Sequence, residues 1–167
     1  MIDENSINDD FSYGMRLAFQ EAERAFEIDE VPVGAVVLFK NRIIGKGFNQ
    51  VEQLKDPTAH AEMIAITAAA SYLDSKWLYD ADLYVTKEPC SMCAGAIVHA
   101  RIRNLIFGAY DVKAGACGTV LNIAQDPNLN HKVNIVSGIE ESKCSSILQT
   151  FFQKRRKENK ELKRSQD

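Results

Sequence analysis

Cys90 and Cys93 stand three residues apart in Pro89-Cys90-Ser91-Met92-Cys93, and His60 stands two residues before Glu62 in His60-Ala61-Glu62. Thiolates at i and i+3 share one face of a helix and can hold a single ion. In a first turn they also face the positive end of the helix dipole, which favours the deprotonated form. A tetrahedral zinc takes four ligands, and a catalytic site leaves one position to water. His60 completes a His/Cys/Cys set, a donor combination that favours zinc over iron. Two thiolates cancel the charge of the ion, so a carboxylate must help to move the proton. Glu62 is that carboxylate. In a regular helix the side chains of His60 and Glu62 would diverge by about 200°. Both reach one site only if His60 lies at the irregular start of its helix.

Each half of this constellation has a plainer reading. A lone Cys-x-x-Cys serves as structural zinc, as a redox pair or as core. Structural zinc usually wants a second close pair, and Cys117 and Cys144 are 27 residues apart. A redox pair wants a thioredoxin-like setting, which is absent. His60 alone reads as a locally bonded histidine, and Glu62 alone as a carboxylate placed by a helix dipole. Their joint occurrence, each half opening a helix after extended chain, carries the catalytic reading.

The elements that must position these residues follow from periodicity. Phe11, Met15, Ala18/Phe19, Ala22 and Ala25/Phe26 recur at helical spacing and predict a helix over 12–27. Val33–Phe39 and Arg42–Asn49 read as two strands joined at Lys40-Asn41, a hairpin signal. Gly45 and Gly47 in the second run predict a bulge or a close approach by another group. A buried helix is expected over 59–72, a short strand over 83–86, and a helix from Cys90 to His99 with Pro89 set for its first turn. A strand at 105–107, a further strand at 133–136 and a helix from Glu140 complete the pattern. Hairpin, then strands alternating with helices, implies one sheet layered between helices.

The 167 residues suit a single α/β domain, 46% apolar and 26% charged. The acidic, polar start resembles neither a secretory signal nor a transit peptide, and no apolar run is long enough to cross a bilayer. A cytoplasmic protein with reduced thiols and no membrane association is therefore expected. The net charge of −3 hides an asymmetry: residues 1–30 carry nine acids against Arg16 and Arg24, whereas residues 151–167 carry seven bases against three acids. A basic C-terminal end can bind a polyanion locally whatever the overall charge.

The pattern H-x-E…P-C-x-x-C is that of the zinc deaminases, in which the glutamate is acid and base rather than ligand. The likeness extends well beyond it. Glu30-Val31-Pro32-Val33-Gly34-Ala35-Val36, Asp56-Pro57-Thr58-Ala59-His60-Ala61-Glu62, Tyr84-Val85-Thr86, Glu88 to Ala96, Phe107-Gly108-Ala109, and Phe151-Phe152 with Arg155-Arg156 resemble the bacterial tRNA-specific adenosine deaminases. This resemblance implies a cytidine deaminase-like three-layer α/β/α sandwich with a five-stranded mixed sheet. It also implies a homodimer with one zinc per subunit, converting adenosine to inosine at the wobble position of a tRNA anticodon stem-loop. It assigns zinc to His60, Cys90 and Cys93 and proton transfer to Glu62. Asn49 resembles the purine-contacting asparagine, and Asp111 the aspartate that meets nucleotides beside the target. Phe151 belongs with the likeness near the C-terminus, and Lys113, Arg155 and Arg156 are candidates for the flanking phosphates. Residues 1–10 are then an acidic flexible start, 11–158 the deaminase domain and 159–167 a charged tail. Lys87, Tyr110 and Cys117 depart from the family pattern, and the first two bear on the substrate groove.

Two rivals share these residues. A deaminase of free guanine or cytosine has the same zinc site, but a small neutral substrate needs no phosphate clamp. A metal-stabilised RNA-binding subunit without catalysis has no use for Glu62.

Overall fold

Lys40 and Asn41 both adopt left-handed backbone, with φ of 50° and 59°, the conformation of a two-residue hairpin turn. They join β1 (Gly34–Phe39) to β2 (Arg42–Phe48) in antiparallel register. Across the pair, Val37 faces Gly45 and Leu38 faces Ile43, so Ile44 is an extra residue in β2. Both readings of the glycines hold, because a helix also lies directly on this strand. The computed structural model describes residues 4–165, with side chains from Phe11 onward.

The chain runs from α1 (Glu4–Glu27) through the hairpin to a short α2 (Val51–Leu54) and α3 (Ala61–Leu73). It continues with β3 (Ala81–Lys87), α4 (Ser91–His99), β4 (Asn104–Ala109), β5 (Asn134–Ser137) and α5 (Glu141–Arg164). The five strands form one mixed sheet in the order β2-β1-β3-β4-β5. β1 is antiparallel to both its neighbours, while β3, β4 and β5 run parallel. A parallel connection needs a crossover of a dozen or more residues; α4 supplies it between β3 and β4, and the irregular segment 110–133 between β4 and β5. This is the expected three-layer α/β/α architecture.

Alternation along the strands sorts the core into two halves. Ala35, Val37, Leu83, Val85, Leu105 and Phe107 pack with α3 and α4. Val36, Leu38, Tyr84 and Ile106 point the other way, toward Met15 and Ala18 of α1 and Cys144 and Leu148 of α5. Each fully buried aliphatic side chain stabilises the fold by roughly 1.5–3 kcal/mol. On the first face α3 approaches β2 very closely. A Cβ added at Gly47 would stand 2.7 Å from the carbonyl oxygen of Ala61, and one at Gly45 would collide with that of Ala65.

Several element bounds differ from the expected ones. α1 begins at Glu4, inside the acidic stretch rather than after it, and α5 runs to Arg164, through most of the segment read as a charged tail. Residues 1–3 and 166–167 of those two segments lie outside the described residues. α4 begins at Ser91, so Pro89 precedes the cap instead of occupying the first turn. There it favours an extended Glu88, since proline disfavours helical backbone in the residue before it. Among the described residues no helix is long and apolar enough to cross a membrane.

Candidate active site

Two helix starts meet at the end of the sheet. His60 is the N-cap of α3, with extended backbone at φ −75° and ψ 152°, and Cys90 is the N-cap of α4 at φ −73° and ψ 177°. The His60 side chain makes no bond back to α3 and turns instead toward the two cysteines of α4. The extended cap resolves the divergence that a regular helix would impose, because His60 leaves α3 before Glu62 enters its first turn. Cys93, in the first turn of α4, completes the cluster.

Nδ1 of His60 lies 3.6 Å from Sγ of Cys90 and 3.5 Å from Sγ of Cys93. The three donor atoms all fall within 4.8 Å of one another. Zinc–sulfur bonds of about 2.3 Å and zinc–nitrogen bonds of about 2.0–2.1 Å, at a tetrahedral angle, set sulfur and nitrogen about 3.5 Å apart. The donor set therefore fits a tetrahedral zinc with three protein ligands. Without a cation the same groups must share protons. Hydrogen bonding to Cys93 and then to His60 draws the Cys90 thiol down to about 3. Cys93 is pushed up by its bond to Cys90 and by burial, and His60 is raised chiefly by Cys90. A divalent ion would displace those protons. Burial, the largest influence on Glu62, raises its pKa above the usual carboxylate range.

A cavity of about 280 Å³ opens over the cluster, lined in part by Asn49, His60, Glu62, Lys87, Cys90 and Asp111. It lies near the lower end of small-molecule pockets, about 300–1,000 Å³, with room for a planar base. Glu30 also lines it and is buried; its carboxylate accepts hydrogen bonds from Asn49 Nδ2 at 3.2 Å and from the Gln53 backbone N–H at 2.6 Å. Glu88, buried beside Pro89, accepts from the backbone N–H groups of Asp111, Cys117 and Thr119, each at 3.1 Å, and from the Thr119 hydroxyl at 2.5 Å. One carboxylate thus secures the loop after β4. Glu30 and Glu88 are further functional candidates; both lie in stretches that carry the family resemblance, but the sequence assigns neither a role.

Of the remaining candidates, Asn49 and Asp111 enter the cavity. Asp111 is nearly buried, and its Oδ1 accepts the backbone N–H groups of Lys113 and Ala114. Burial acts on it most and raises its pKa, but Lys87 and the two amides outweigh that and hold it low. A second, open groove of about 670 Å³ adjoins the cavity, sharing Glu30, Val31 and Glu52, and is lined by Phe151, Phe152 and Arg155. Phe151 is 3% exposed and packs edge-on against Phe26, so the open ring is Phe152, 44% exposed. Arg155 donates to the Asp29 carbonyl at 2.7 Å and pairs with Glu158. Lys113 and Arg156 are exposed and are not among the residues lining either space.

A helix-flanked mixed sheet bearing a His/Cys/Cys cluster beside a buried glutamate is a deaminase architecture, and a family model described as MafB19-like deaminase matches residues 8–156. A tRNA-specific adenosine deaminase of Haemophilus influenzae is 48% identical over 147 residues, covering 87% of this chain and 85% of that protein. One from Aquifex aeolicus is 49% identical over 145 residues, covering 86% and 95%. A solved structure from a study of A-to-I editing by tRNA:A34 deaminases at the wobble position superposes with a TM-score of 0.79 at 45% identity, covering 81% of this chain and 99% of that one. The chain belongs to the family of tRNA-specific adenosine deaminases.

Proposed function

We propose that this chain hydrolyses adenosine to inosine at the wobble position of a tRNA anticodon loop, releasing ammonia, with one zinc held by His60, Cys90 and Cys93. When bound, zinc supplies Lewis acidity that lets water lose a proton near neutral pH. Glu62 takes that proton as the water oxygen bonds to C6 of adenine, and delivers it to N1. Glu62 then moves the proton of the new hydroxyl to the amine, the C6–N bond breaks, and ammonia leaves a C6 carbonyl. A carboxyl raised by burial suits one group acting first as base and then as acid. Asn49 would meet the purine in the cavity, and the adjoining groove with Phe152 and Arg155 would take the flanking nucleotides. An anticodon base is already unpaired, so its extrusion costs less than from a duplex.

The observation that carries this reading is the spacing of 3.5 and 3.6 Å between the imidazole nitrogen and the two sulfurs, with Glu62 in the same cavity. A homodimer in the cytoplasm goes with it. Val112, Val120 and Leu121 expose 77%, 52% and 51% of their surface on the loop after β4, apolar surface that a second copy would cover. The test is to incubate the zinc-loaded protein with an anticodon stem-loop carrying adenosine at the wobble position and to quantify inosine and ammonia. Turnover of free guanine with no inosine in the stem-loop would overturn the proposal.

A further inference from the structure

Lys87 ends β3 at the rim of the cavity, and its Nζ lies 2.6 Å from Oδ2 of Asp111. The other carboxylate oxygen already accepts two backbone N–H groups, at 3.0 and 3.1 Å. Both oxygens of Asp111 are therefore engaged from within the protein. Its side chain is 10% exposed and that of Lys87 is 32% exposed, so the member of the pair that reaches solvent is Lys87. Its ammonium has three donors, and Asp111 is the one partner found for it among the described residues.

The surroundings make this cation distinctive. Glu30, Glu52, Glu62, Glu88 and Asp111 all line the cavity, and among its described lining residues Lys87 alone carries a permanent positive charge. A polyanion meeting those walls is repelled unless a cation faces it at close range. A base seated beside Glu62 would leave its flanking phosphates toward the rim, where Lys87 stands. Asp111, nearly buried, holds the ammonium in place at the rim, and that placement of the charge is the consequence of the pair.

We propose that Lys87 is a substrate-positioning residue whose ammonium, oriented by Asp111, receives a phosphate adjoining the target nucleotide. The inference rests on the RNA substrate proposed above and adds to it a residue that fixes the strand at the mouth. The experiment measures binding and turnover separately. A fluorescein-labelled anticodon stem-loop is titrated across a salt series with the zinc-loaded protein and its Lys87→Met and Lys87→Arg variants, and inosine formation is followed in parallel.

Lys87→Met should reduce the slope of log K against log salt by about 0.7, the value of one single-strand phosphate contact. It should raise KM roughly five- to tenfold with kcat little changed, and Lys87→Arg should restore both. A role confined to holding Asp111 predicts instead a raised KM with the salt slope unchanged in Lys87→Met, which would overturn the proposal. An unchanged slope and KM in Lys87→Met, on a stem-loop the parent converts, would also overturn it while leaving the deaminase reading intact. A reduced slope with no inosine from any form would sustain the contact and sink the activity. If Lys87→Met loses zinc or helical signal, Lys87→Gln replaces it, and the same slope change decides.

Discussion

Glu30 holds Asn49 by its amide nitrogen. The Nδ2–O distance is 3.2 Å, and Glu30 itself is 1% exposed. An ionised carboxylate only accepts hydrogen bonds, so the end of the amide facing it is the nitrogen and the oxygen is turned away. The Gln53 N–H, at 2.6 Å, fixes the carboxylate in turn. A buried acid thus decides which end of Asn49 a base encounters.

Replacing that acid tests the arrangement. Glu30→Gln can donate as well as accept, so Asn49 gains a second orientation. We expect kcat/KM for the stem-loop to fall roughly tenfold, about the value of one hydrogen bond to a charged group, with zinc content unchanged. Steady-state kinetics beside metal analysis checks this, and unaltered kinetics would show that Asn49 keeps its orientation unaided.

Glu62→Gln preserves shape and removes the proton carrier. Turnover should fall by about 10²–10⁴, while zinc stays bound because all three donors remain. Metal analysis together with single-turnover inosine release separates the two effects. Full activity in this variant would remove Glu62 from the chemistry.

Glu88 carries four hydrogen bonds for one loop. Glu88→Ala leaves three amides without their acceptor, a cost of about 1–3 kcal/mol for each buried donor left unpaired. Thermal unfolding should show a drop of several degrees, and KM should rise because Asp111 and Lys113 sit on the freed segment. A variant as stable as the parent would mean that other acceptors take over the loop.

The thiols differ sharply in reactivity, since alkylation requires the thiolate. Cys117 is pushed up to about 12 by burial and then by Glu88, and Cys144 to about 12 by burial and then by Glu140. At about pH 8 only roughly one in ten thousand of either is ionised, so both should stay silent until the chain unfolds. Cys90 is drawn down to about 3 and is thiolate throughout, so in chelator-treated protein its labelling rate should stay flat from about pH 6 to about pH 8. An ordinary cysteine would accelerate over that span. Zinc should protect Cys90, and mass spectrometry of labelled peptides reports all three outcomes.

Much of this was legible in the sequence because it depends on local pattern. Lys40-Asn41 marked the hairpin, the alternating apolar runs marked the sheet, and His60, Cys90 and Cys93 marked by chemistry and spacing the cluster whose donor atoms the fold brings together. What escaped was burial of charge. Glu30 was counted with the acidic N-terminal residues, and nothing in its neighbours says that it faces inward toward Asn49. Phe151 and Phe152 are adjacent and chemically identical, so only the rotation of α5 decides which ring is open. The four-residue α2 is too short to show a period. Asp111 was found, but its pairing with Lys87 joins the end of β3 to the loop after β4.

The bare backbone of Gly45 and Gly47 has a further reach. Because the strand offers α3 no side chain at these two positions, the sheet acts as a depth gauge for the imidazole mounted at the tip of that helix. A methyl group inserted there would lift the whole rod and open the gap between nitrogen and sulfur. The tolerance of the chemistry to error is thus governed from beneath, by two residues that bring no functional group of their own.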